Sequence, residues 1–66
     1  MKHETLQDLK SLIQWLADRK SVCNEWAAEE SKNGNTAIAR DFKNAAAIHE
    51  VTIFRLQVII DAEVSE

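Results

Sequence analysis

Apolar side chains in this 66-residue chain return at alternating intervals of three and four on both sides of a single polar break. That spacing predicts two amphipathic helices. The break is Ser31-Lys32-Asn33-Gly34-Asn35-Thr36, which contains the only glycine of a chain without proline. Glycine tolerates the left-handed backbone that closes a helix, and Asn35 or Thr36 can cap the next one. The pattern predicts helix 1 over residues 4–31, a turn over 32–35 and helix 2 over 36–62. Thr5 followed by Asp8 offers a capping-box variant at the start of helix 1.

In helix 1, Leu6, Leu9, Ile13, Leu16, Cys23 and Ala27 form the seam of a helical hairpin, interrupted at Lys20. A second set, Leu12, Trp15, Val22 and Trp26, widens the apolar arc to roughly 200°. In helix 2, Ile38, Phe42, Ala45, His49, Thr52, Leu56 and Ile59 are the expected seam, with Ile53 and Ile60 on the same arc. Ala47, Ile48, Val51, Phe54 and Val58 make a separate arc that a helix packed on the first would leave in water. Val51 to Ile60 is rich enough in β-branched residues to suggest a strand. Nothing else in the chain could pair with such a strand, and no turn signal separates it from the alanine-rich helical stretch before it.

Folding at Gly34 sets Ile13 near Leu56, Leu9 near Ile59 and Ile60, Leu16 near Thr52, and Cys23 near Ala45. The expected fold is all-α: one antiparallel two-helix hairpin spanning residues 1–66 as a single domain, assembling into a homo-oligomeric bundle of four or more helices. Its oligomer interface is expected to consist of Leu12, Trp15, Val22, Trp26, Ile48, Val51, Phe54 and Val58. A chain of this size buries only about 60% of its unfolded surface, and such domains usually gain stability from disulfides, metals or association. The single Cys23 excludes an intrachain disulfide and fits a reducing, cytoplasmic setting.

Charge narrows the partners. The net charge is −3, with eight Lys and Arg against eleven Asp and Glu, all dispersed. Nucleic-acid binding depends on clustered cations, so this balance disfavours it. The apolar runs are too short to span a membrane, and the N-terminus has no secretory apolar core. Glu25, Glu29 and Glu30 crowd the end of helix 1, and Asp61, Glu63 and Glu66 that of helix 2, against the macrodipole. Arg40 and Lys43 are placed to approach the first group.

No catalytic constellation emerges. His49-Glu50 opens like a zinc-protease motif, but Ile53 stands where the second histidine belongs, so no metal or other cofactor is expected. Cys23 and His49 could share a side of the hairpin, yet no oxyanion loop or orienting Asn or Asp accompanies them. Lys20 within the seam reads either as a register-setting polar layer or as part of a polar pocket with His49 and Thr52. Arg40, Asn44 and Arg55 share a side of helix 2 and would complete a site for a small anionic ligand if the oligomer gathers copies together.

The functional expectation is therefore a small regulatory or inhibitory protein, without enzymatic activity, that binds itself and a protein partner. Its size is that of accessory proteins that bacteria, plasmids and phages encode. One alternative is a sponge that sequesters a small phosphorylated ligand or nucleotide signal between subunits, as in phage counter-defence. A further alternative is an RNA-binding helical bundle.

Overall fold

The computed structural model describes residues 2–64, which form one hairpin of two α-helices. Helix α1 runs His3–Lys32 and α2 runs Thr36–Val64. Neither contains a glycine or proline, so nothing in the local sequence interrupts the backbone hydrogen-bond ladder. The molecule is correspondingly a rod, 50 × 16 × 11 Å. Val51 to Ile60 is helical throughout, so the strand alternative is excluded. Glu66, grouped above with Asp61 and Glu63, lies outside the described residues.

The turn is built by hydrogen bonds. Gly34 has φ 83°; its N–H donates to the Ser31 carbonyl at 3.1 Å, and the Asn35 N–H donates to the Glu30 carbonyl at 2.8 Å. This pair is a Schellman closure, which satisfies two carbonyls that the end of α1 would otherwise leave bare. The Asn35 carbonyl then accepts from the Ala39 N–H at 3.0 Å and opens α2. At the other end, α1 begins from Lys2 without a side-chain cap. Thr5 already lies inside the helix, so the expected Thr5–Asp8 capping box has no free N-terminal turn to serve.

The seam of α1 follows the expected spacing. Leu16, Cys23 and Ala27 are buried, while Leu6, Leu9, Ile13 and Lys20 are half-buried. The ends of the α2 seam need correction. Ile38 and Ile59 remain 49% and 50% exposed, whereas Ala39, Ala46 and Ile60 are buried. The covered set is Ala39, Phe42, Ala45, Ala46, His49, Thr52, Ile53, Leu56 and Ile60, so the expected Ala45 and Thr52 are half-buried beside Ala46 and Ile53. The sequence reading favoured the larger Ile38 over its small neighbour. Close to a tight turn, however, two helices emerge side by side, and small residues such as Ala27 and Ala39 allow that approach.

The core is therefore thin: among the described residues no large side chain is completely sealed from solvent. A Cβ at position 34 would meet nothing within 4 Å, so Gly34 is required only by its backbone conformation. Gly34→Ala is expected to cost about 1 to 2 kcal/mol, seen as an earlier urea midpoint at unchanged helical content. Gly34→Asn should cost less, because asparagine enters this region more readily.

Candidate functional surface

The residues expected to form an oligomer interface are set apart from the seam. Leu12, Trp15, Trp26, Ile48, Val51, Phe54 and Val58 are all exposed, with Phe54 at 67% and Trp15 at 57%; Val22 is half-buried within the hairpin. At about 100° per residue, Ile48, Val51, Phe54 and Val58 centre on the side of α2 turned away from α1. Leu12, Trp15, Val22 and Trp26 occupy one flank of α1, roughly a quarter-turn from its seam. In an antiparallel pair the same rotational sense leads to the same broad side. The α1 flank therefore faces the side on which Ile38 and Ile59 also lie exposed. The opposite broad side carries Lys10, Asn24, Lys43, Glu50 and Gln57, all exposed.

Within this apolar belt, Trp26 is the best-anchored ring. It meets Phe42 edge-on at 5.3 Å between centroids, and the Arg19 guanidinium lies 5.8 Å from its centroid. These contacts orient the indole and keep Arg19 on the belt's edge. On α2 the belt contains two open hollows. Ala47, Ile48, Val51, Thr52 and Arg55 line one, and Val51, Phe54, Arg55, Val58 and Ile59 line the other. Ile59, expected in the seam by its spacing from Leu56, is exposed and borders the second hollow, while Ile60 is buried in its place.

The expected ligand-binding residues do not converge within one chain. Lys20 extends from the seam to Glu50, Nζ to Oε1 at 3.5 Å; the Lys20 side chain is 36% exposed and that of Glu50 68%. His49 is half-buried in the seam beside this pair in sequence. Thr52 is half-buried and donates its only hydroxyl proton to the Ile48 carbonyl at 2.9 Å, so it has no proton left for an anion. Arg40, Asn44 and Arg55 are exposed on α2. Arg55 borders both apolar hollows, while Arg40 and Lys43 line a third hollow beside Ser31, Thr36 and Ala39 at the turn. Arg40 and Lys43 form no ion pair with Glu25, Glu29 or Glu30 among the described residues. Instead the Glu30 carboxylate accepts from the Asn35 amide at 2.6 Å.

Cys23 is buried and unpaired. Among the described residues there is no grouping of three or more His, Cys, Asp and Glu side chains able to hold a metal. No described helix is long and apolar enough to cross a membrane. No protein-family model matches the chain, and comparisons with curated proteins and with solved structures give no match either.

An accessible Lys–Glu pair contributes at most about 1 kcal/mol. Lys20 nevertheless occupies a seam position between Leu16 and Cys23. Lys20→Met, which keeps the stem and removes the charge, is expected to stabilise the hairpin by about 0.5 to 1 kcal/mol. Equilibrium urea unfolding measures it, and a loss of stability would assign the ammonium a structural role that the Glu50 contact does not explain.

Proposed function

We propose that this chain is a non-enzymatic helical-hairpin protein that self-associates through its apolar belt and acts as a regulatory or inhibitory binding protein through protein–protein contacts. The observation that carries the reading is surface area. The chain exposes 5014 Å². A compact monomer of its 7.5 kDa mass would expose about 4250 Å². The surplus of about 750 Å² is close to the ~800 Å² that each partner contributes to a standard protein interface. The exposed side chains include Trp15, Trp26 and Phe54, of the aromatic type enriched at interface centres.

A second reading rests on Arg55, which forms no ion pair among the described residues and stands at the rim of two apolar hollows. A cation beside an apolar floor suits a ligand with a flat base and a phosphate. In that case the assembly sequesters a small phosphorylated molecule, with Arg40, Asn44, Lys20 and His49 contributed by neighbouring copies.

Light scattering during size exclusion should give a mass of at least two chains. Phe54→Asp and Trp15→Asp should each shift it towards one chain while helical content is retained. A wild-type protein that elutes as a stable single chain at high concentration contradicts the proposal. Thermal melts with a panel of linear and cyclic nucleotides separate the second reading. A bound ligand at 100 times its Kd raises stability by ~2.7 kcal/mol, and Arg55→Gln should remove that shift.

A further inference from the structure

We propose that the central contact of the assembly is α2 against α2 of a second copy, antiparallel about a two-fold axis beside Val51. This deepens the self-association reading and rests on it. The argument begins from an asymmetry between the helices. The exposed apolar residues of α1 lie on a flank, next to its seam, whereas Ile48, Val51, Phe54 and Val58 of α2 lie on the face opposite its seam. A helix that is apolar on two opposite sides is an inner helix, with a neighbour on each. One of those neighbours is α1 of the same chain; the other is absent from the single chain.

The face is self-complementary in one register. With Val51 beside Val51 of the second copy, the helices overlap along most of their length. Residues on the same edge of an antiparallel pair then meet when their numbers add to about 102, because both helices share one rise per residue. The small Ala47 falls opposite the large Phe54 of the second copy, and Ile48 falls opposite the stem of its Arg55. At both ends Arg40 reaches Asp61 of the second copy, a charge match made twice by symmetry. Within its own chain Asp61 accepts from Gln57 at 2.9 Å, and a carboxylate accepts several hydrogen bonds at once. A parallel pair would instead set Arg55 beside Arg55. An antiparallel pair slid by one heptad towards the C-terminus sets both Phe54 against Phe54 and Arg55 against Arg55. Opposed like charges and unfilled space next to alanine disfavour both alternatives.

The test uses the full chain with Cys23→Ser and one new cysteine on an exposed position. Val51→Cys, treated with a short bismaleimide at a concentration where light scattering shows the oligomer, should give covalent dimer. Holding two thiols together raises their effective concentration to about the millimolar range. Cross-linking should therefore run at least about tenfold faster than for Lys10→Cys on the polar side. Arg40→Glu and Asp61→Arg should each weaken association about threefold, as exposed ion pairs at an interface rim do. The double variant should restore it. These residues are about 31 Å apart along one helix, so rescue can arise only between chains. Cross-linking of Val51→Cys no faster than of Lys10→Cys, in a protein that is oligomeric, overturns this contact while leaving self-association standing. Failure of the charge-reversed pair to rescue overturns the register. A single-chain mass before any cross-linking overturns both this contact and the self-association on which it rests.

Discussion

Two straight helices touch along one line, and everything else in this molecule follows from how little that line can cover. A single neighbour shields a stripe of about 100° on each helix. Here that stripe is populated at the turn end by alanines, Ala27, Ala39 and Ala46, and by the small thiol Cys23. Small side chains permit close approach of the helices but remove little apolar area from water. Meanwhile Trp15, Phe54, Ile48 and Val51 stand outside the stripe. The residues with the most to gain from burial are thus those the hairpin cannot bury, at about 1.5 to 3 kcal/mol for each large apolar side chain. If copies bury these side chains against one another, as proposed above, association adds to the stability of the hairpin by mass action.

The seam also has a polar centre. Lys20, His49 and Thr52 occupy adjacent levels midway along the rod, between apolar ends formed by Leu6, Leu9 and Ile60 on one side and Ala27, Phe42 and Ala39 on the other. Polar residues at seam positions of coiled coils cost stability and set register. Thr52 satisfies itself by bonding one turn back to Ile48, and Lys20 satisfies itself by leaving the seam for Glu50. Two of the three polar residues are therefore partnered locally, on the outside of the seam or within α2. The geometry that would make these residues a ligand site must come from elsewhere than one chain.

The two helices, their turn and the α1 seam were legible because each rests on a local rule. Gly34 is the one residue free to take a left-handed φ, and the absence of glycine and proline elsewhere leaves no other place to break. The α2 seam was legible in its middle, at Phe42, His49 and Leu56, and misassigned at its ends. There Ile38 and Ile59 were placed in the seam, whereas the structure leaves both exposed and buries Ala39 and Ile60. The wide apolar belt was visible as a count of residues per arc. So was its division into a widened arc on α1 and a separate arc on α2, because both follow from helical spacing alone. The candidate ligand residues were grouped by chemistry, and the hairpin spreads them between the seam and the outside of α2 because helical spacing, not side-chain type, fixes where they point.

The linkage between folding and association is tested most directly by thermal unfolding followed by circular dichroism over a hundredfold range of protein concentration. If the belt is buried between copies in the native state, the midpoint rises steadily with concentration, as mass action requires. A midpoint that is the same at every concentration would show that the two-helix rod is stable with its aromatic belt in water, and would contradict the account.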